Sequence, residues 1–365
     1  MLQPIAEINL GKLQQNYQFI QNTVDKAKVM AVVKADAYGH GAVPIAKSLE
    51  NAGVFGFCVA LHSEIDELIS SGITKPILHT GRVQQGILDL CKTGQVRCSV
   101  NSIEDFQVVN KFGKNNNSKI KVHIKFDTGM SRLGISYKYS QDILSQIGNY
   151  KFIEVEGIWS HLASAEEKDD SFMQLQLNRF KEIKQLAKSL NLNVKFYHIA
   201  NSAGILKTSE SHFNMVRPGI ALYGISPLGI PHSNLSPIMD FQAPVMLIKD
   251  ISDGDSVGYN RTFTASEPMK IATVQAGYAD GVPLEFSKSG SVIYKNNELK
   301  IIGKVSMDMT AINANNSNLK VGDKVSFWGD NTTHRIEHLS KKYGIIPYKF
   351  LNGISKRVKR IYIED

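Results

Sequence analysis

The chain has 365 residues, of which 42% are hydrophobic and 21% charged, with a formal net charge of +8. This composition excludes a disordered chain, and the length accommodates two domains or one large barrel with an appendage. The basic excess is scattered singly among acids, and its only dense cluster, Lys356-Arg357-Val358-Lys359-Arg360, has no interleaved aromatics, so a solvated surface is expected rather than a nucleic-acid partner.

In chain order, apolar runs with strand character fall at Val29–Val33, Phe55–Ala60, Pro76–Thr80, Val96–Val100, Lys121–Phe126, Phe152–Ser160, Val194–Ile199 and Asn214–Val216. Helical periodicity separates most of them, at Ala42–Ala52, Ser63–Ser71, Ile103–Lys111 and Phe172–Leu190. Ser63 with Asp66, and Ser102 with Asp105, have the spacing of capping boxes. Eight strand-like runs alternating with helices predict an α/β fold, a (β/α)8 barrel over residues 1–230. An open doubly wound sheet is the runner-up, but no G-x-G-x-x-G follows the first strand.

The stretch Ser226–Pro237 is rich in turn residues and reads as a boundary. Beyond it the chain becomes strand-dominated, at Val245–Ile251, Met269–Gln275, Ser291–Tyr294, Leu299–Ile302 and Lys324–Phe327. Asn296-Asn297 is a hairpin-turn candidate, and one helix, Ile336–Tyr343, ends at Gly344. Residues 231–365 are therefore expected to form a mostly β domain.

A (β/α)8 barrel carries its active site at the C-terminal ends of its strands. Read that way, the first strand ends at Lys34, the fifth leads through Lys125 to Arg132, and the sixth ends at Ser160-His161. The seventh ends at His198, Asn201 and Ser202, and the eighth runs into Arg217. Such a cluster points to an anionic ligand. Lys34, pushed toward a barrel mouth, is competent to form a Schiff base with an aldehyde cofactor. Position alone leaves equally open a solvated lysine that closes the strand. His161 taken singly reads as a satisfied barrel histidine, and Arg132 and Arg217 as loop salt-bridge partners. Lys125 alternates inward, where an unpaired ammonium is costly, so it needs a partner or a modification that removes its charge. Ser202, Gly219 and Ile220 lie where backbone amides can cradle a phosphate.

No basic segment precedes an apolar one between Met1 and Tyr17, as a secretory signal requires, and no apolar run reaches the roughly eighteen residues of a membrane helix. Cys58, Cys91 and Cys98 lack metal-type spacing. A cytoplasmic protein with reduced thiols, no metal and no membrane partner is the expectation.

The segment Ala31-Val32-Val33-Lys34-Ala35-Asp36-Ala37-Tyr38-Gly39-His40-Gly41 resembles the pyridoxal-phosphate attachment site of the alanine racemases. The resemblance continues through Lys125-Phe126-Asp127-Thr128-Gly129-Met130-Ser131-Arg132, Trp159-Ser160-His161, His198-Ile199-Ala200-Asn201-Ser202 and Val216-Arg217-Pro218-Gly219-Ile220. It resumes at Val257-Gly258-Tyr259, Gly277-Tyr278-Ala279-Asp280-Gly281 and Gly303-Lys304-Val305-Ser306-Met307-Asp308. It spans nearly the whole chain.

The resemblance implies a fold-type III pyridoxal-phosphate enzyme that interconverts L- and D-alanine, as a homodimer whose sites join one protomer's barrel to the other's β-domain. It implies that Lys34 holds the cofactor and acts as one base, that the partner's Tyr259 is the opposing one, and that His161 supports Tyr259. Arg217 would face the pyridine nitrogen, and Arg132 the phenolic oxygen and the substrate carboxylate. Lys125 would be carbamylated to orient Arg132. Tyr38, Asn201, Ser202, Gly219 and Ile220 would bind the cofactor around its phosphate, and Met307 the carboxylate. Lys356 is aligned where some relatives have a phosphate-binding tyrosine, and Lys349 where a glutamate is common. A racemase of serine, basic or broader amino acids, and a non-enzymatic cofactor carrier, are the alternatives.

Overall fold

The computed structural model describes residues 3–315 and 317–364. They form two compact units, one comprising Gln14–Ala37 and Ala42–Leu222, the other the described residues of 3–13, 38–41 and 223–364.

The first unit is a nearly closed barrel of eight parallel strands. They are β1 (Lys28–Val32), β2 (Gly56–Val59), β3 (Ile77–His79), β4 (Val96–Val100), β5 (Ile120–Asp127), β6 (Ile153–Trp159), β7 (Phe196–His198) and β8 (Met215–Val216). The hydrogen-bonded order is β8-β1-β2-β3-β4-β5-β6-β7. Between β8 and β7 the gap is bridged by Arg217 N donating to Ala200 O at 3.0 Å. All five residues of β4 and all four of β2 are buried, as expected of parallel strands covered on both faces. The covering helices bury one stripe each: in Ser171–Ser189 the buried Met173, Leu177, Phe180, Ile183 and Ala187 recur at intervals of three and four.

Of the two expected capping boxes, one is displaced and one divided. The helix expected from Ser63 starts at His62 with Leu61 as its cap, because Glu64, not Asp66, reaches back to Leu61 N at 3.0 Å. At the second, Ser102 Oγ does accept from Asp105 N at 3.2 Å, but the Asp105 carboxylate takes the N–H of Asn101.

The second unit is built on an eight-stranded, mostly antiparallel sheet around the long strand Met239–Ile251. Its neighbours include Ile5–Asn9, which sequence reading had not placed, running antiparallel to it and parallel to the final strand Lys359–Ile363. Thr310–Asn313 and the helix Pro347–Asn352 are likewise new. Tyr294 pairs with Asn297, so the hairpin turns at Lys295-Asn296, one residue before the expected pair, with Lys295 in the left-handed region at φ 52°. The helix Ile336–Tyr343 ends at Gly344 in the left-handed conformation, as expected. Phe241, Phe327, Trp328 and Phe350 pack this unit's core.

The basic cluster near the C-terminus is largely structural. Arg357 pairs with Asp280 and Asp308 at 2.7 and 2.6 Å, and Arg360 donates to the carbonyls of Gly39, Ile354, Ser355 and Val358. Among the described residues no helix is long and apolar enough to cross a membrane.

Ile8 is fully buried within the sheet of the second unit. Ile8→Ala is expected to destabilise that unit by about 2–5 kcal/mol, read as a lower urea midpoint for its unfolding transition.

Candidate active site at the barrel mouth

β1 ends at Val32, and Lys34 opens the turn Lys34–Gly39. Ala35, Asp36, Ala37 and Tyr38 all have φ between 50° and 56°, so this is a left-handed turn made of side-chain-bearing residues. Each such residue costs about 1–2 kcal/mol, and the structure offsets this locally. Ala35 N donates to Glu64 Oε1 at 2.6 Å, Ala37 N to Val33 O at 2.9 Å, and Ala42 N to Asp36 Oδ1 at 2.8 Å. Glu64 Oε2 also takes Ala60 N and Leu61 N, tying the turn to the end of β2. The result presents Lys34 exposed, at the C-terminal end of its strand.

Around it the barrel gathers cations. Lys125 on β5 is 4% exposed, with its Nζ 4.4 Å from the centre of the Trp159 ring. Burial, then Arg217 and Arg132, push its ammonium down to about 8, against an opposing pull from Asp127 and with a smaller push from Lys34. Arg217, just past β8, is 4% exposed and stacks on the same ring at 4.7 Å. Its Nη2 donates to Ser160 O at 2.7 Å and lies 3.3 Å from His161 Nδ1, while its Nη1 lies 2.6 Å from His198 Nδ1. Burial lowers Arg217 only to about 10, so it stays charged at neutral pH. A guanidinium has no acceptor, so both imidazoles must receive its protons and carry their own on Nε2. Burial and the surrounding cations hold His161 well below the usual histidine range, hence neutral.

Asn201 caps the short helix Ser202–Lys207, accepting from Gly204 N. Ser202 Oγ accepts two backbone N–H groups, from Gly219 at 2.9 Å and Ala221 at 3.2 Å. The Ser202 hydroxyl thus takes the donors of a Gly219–Ala221 cradle suited to an anion. Ile220 lies between them, buried.

The structure therefore brings together Lys34, Lys125, Arg132, His161, Arg217 and the Ser202 cradle in the barrel unit. Tyr38, Tyr259 and Met307 belong to the other unit. There Tyr259 and Met307 are 67% and 51% exposed, and Tyr259 lines a cavity of about 450 Å3 with Val257, Lys304, Ser306 and Met309. Tyr38 packs against Tyr223 and Tyr348, with ring centres 5.0 and 5.7 Å away. Lys356, aligned on a phosphate-binding tyrosine, is an exposed residue after that unit's last helix. The aromatic ring of this tail that packs beside Tyr38 is that of Tyr348, the residue before Lys349. Cys58, Cys91 and Cys98 are all buried, and burial pushes the Cys58 thiol up to about 12, an inert position.

Fold and site together define a two-unit barrel protein whose mouth gathers cations beside an exposed lysine. The chain belongs to the alanine racemase family: the model of the alanine racemase N-terminal domain matches residues 8–227 and that of the C-terminal domain residues 238–362. It is 35% identical over 365 residues to alanine racemase 2 of Caldanaerobacter subterraneus subsp. tengcongensis, covering 98% of this chain and 94% of that one. It is 36% identical to the alanine racemase of Geobacter sulfurreducens, covering 98% and 97%. Among solved structures, the alanine racemase of Clostridium difficile 630 superposes with a TM-score of 0.91 at 32% identity, covering 100% of this chain and 97% of that one. The alanine racemase of Bartonella henselae, solved with covalently bound pyridoxal phosphate, gives 0.90 at 32% identity over all of both chains.

The depressed Lys125 ammonium is testable. In a 13C NMR titration of protein freed of CO2 and reductively methylated, one lysine is expected to titrate near pH 8. Arg132→Met, by removing a neighbouring cation, shifts that titration upward.

Proposed function

We propose that this chain racemises alanine with pyridoxal 5′-phosphate as cofactor, and that it works as a homodimer with shared sites. The observation that carries the reading is the convergence of Lys34, Lys125, Arg132 and Arg217 on one barrel mouth beside an amide cradle. Lys34, Arg132 and Arg217, with so few local carboxylates, call for a dianionic phosphate and a carboxylate. The family membership and the cofactor-bound Bartonella relative support the same assignment. The cofactor, when bound, supplies the electron sink that makes a substrate Cα–H acidic.

The chain's own residues then divide the work. Lys34 holds the cofactor and moves a proton at one face of the substrate Cα. The partner's Tyr259 moves a proton at the opposite face, supported by His161, whose Nε2 carries the hydrogen. Inversion without a preferred direction needs one such group on each side. Arg217, charged and a donor only, serves the ring nitrogen without protonating it. Arg132 and the partner's Met307 amide hold the carboxylate, and Tyr38, Asn201, Ser202, Gly219 and Ile220 the phosphate end. Lys125, driven down to about 8, has a substantial neutral fraction near pH 8 and is competent to add CO2. The resulting carbamate replaces a cation by an anion and pairs with Arg132. Residues 1–230 act as the cofactor-binding part and 231–365 as the part lent to the partner. D-Alanine for peptidoglycan, made in the cytoplasm, is the physiological role we assign.

The purified protein is expected to be yellow, and borohydride to fix the cofactor on Lys34, found by peptide mass analysis; a colourless protein that binds no pyridoxal phosphate refutes the reading. Racemisation assays across L-alanine, L-serine and basic amino acids should give the highest kcat/KM for alanine. Mixing inactive Lys34→Ala with inactive Tyr259→Phe protomers should restore activity, since one hybrid site is intact. No recovery despite demonstrated subunit exchange rules out the shared site.

A further inference from the structure

A barrel interior is normally filled by layers of apolar side chains. Here it is crossed by a continuous polar line. Arg97, second residue of β4, is anchored at the floor by the carbonyls of Gly94 and Gln95 at 2.9 and 2.8 Å. It pairs with Glu156 through Nε at 2.7 Å and Nη2 at 3.3 Å. Glu156 Oε2 lies 3.5 Å from His123 Nε2. His123 Nδ1 lies 2.7 Å from His198 Nε2, and His198 Nδ1 lies 2.6 Å from Arg217 Nη1. All five side chains are buried, His198 completely.

We propose that this line is a positioning relay with a fixed hydrogen-bond direction, through which Glu156 at the barrel floor strengthens His198 as the acceptor that holds Arg217 in place at the mouth. The direction follows from the two ends. Arg217 can only donate, so His198 accepts at Nδ1 and carries its hydrogen on Nε2. That hydrogen faces His123 Nδ1, which must accept, leaving the His123 hydrogen on Nε2, aimed at Glu156. An ionised carboxylate can only accept, and it closes the line. Neither imidazole can take a second proton without placing two donors face to face. Burial lowers both histidines, His198 well below its usual range, in the same sense. Burial alone raises the Glu156 carboxyl, but hydrogen bonds from His123 and Arg97 override it and hold the group far down.

Two backbone features are shaped for this line. Strands β5 and β6 slip register between Val122 and His123, where Val122 pairs with Val155 and His123 with Gly157. Glu156 is the extra residue of that bulge, the device by which a strand re-aims a side chain. Gly157 then leaves the space that the His123 ring occupies, since a Cβ there would lie 2.5 Å from His123 Nδ1. A charged residue in a dry barrel is costly, and a carboxylate behind a histidine makes that imidazole a stronger acceptor in turn.

The functional half of this inference rests on the assignment of Arg217 to the cofactor's ring nitrogen; the hydrogen-bond half does not. Long-range 1H–15N spectra of the holoenzyme labelled at histidine test the latter directly. Both rings should be Nε2–H tautomers in the unaltered protein. Arg217→Met should keep them so, because Glu156 still pins the line, and Glu156→Gln should keep them so, because Arg217 does. A glutamine amide can turn either way, so Arg217→Met/Glu156→Gln should give mixed tautomers. Scrambling in either single variant, or order in the double, overturns the relay. Should the double variant not fold, Arg217→Met/His123→Asn severs the link to Glu156 instead and should scramble His198. Glu156→Gln should also lower kcat about tenfold with KM changed less than about twofold. An unchanged kcat overturns the positioning role. A protein that binds no pyridoxal phosphate would refute the assigned activity while the spectra, repeated without cofactor, still decide the relay.

Discussion

The burial of the Arg217 guanidinium is the constraint around which the barrel interior is arranged. A cation at 4% exposure needs acceptors for its N–H groups, and the ends of two strands supply four. Ser160 O follows β6, His198 Nδ1 and Ile199 O come from the end of β7, and His161 Nδ1 lies beside them. The positive potential that results is felt by every neighbour. Together with burial, the larger cause, it drives Lys125 toward neutrality and keeps His161 uncharged. An anionic ligand is the complement that such a mouth lacks among its own side chains.

Two local departures from ordinary backbone geometry serve this arrangement. The left-handed turn after Lys34 spends conformational energy to bring a lysine out of a buried strand, and Glu64 restrains it through three backbone N–H groups from two different strand ends. The bulge at Glu156 spends ladder hydrogen bonding to turn a carboxylate into the core. Both features place a charged group where a regular strand would have placed an apolar one.

Much of the fold was legible because its signal is local. Parallel strands buried on both faces are short apolar runs, and helices over them show their stripe, so all eight barrel strands were placed to within a residue or two. The edges blurred where side chains chose between equivalent backbone partners, as Glu64 did over Asp66. Ile5–Asn9 escaped notice because its partners, Met239–Ile251 and Lys359–Ile363, lie over two hundred residues away, and no local pattern records such pairing.

The sequence by itself determined that Lys34, Lys125, Arg132, His161 and Arg217 would stand at strand ends, since residue type and strand position are both linear properties. Its motifs carried the family as well. What only the tertiary structure decided is how those charges coexist. Which carbonyls receive Arg217, that Tyr348 rather than Lys356 packs beside Tyr38, and that Arg97, Glu156, His123 and His198 form one line all depend on which strands adjoin and in what register. Hydrogen-bond direction is a property of closed neighbourhoods, and a neighbourhood exists only once the barrel has closed.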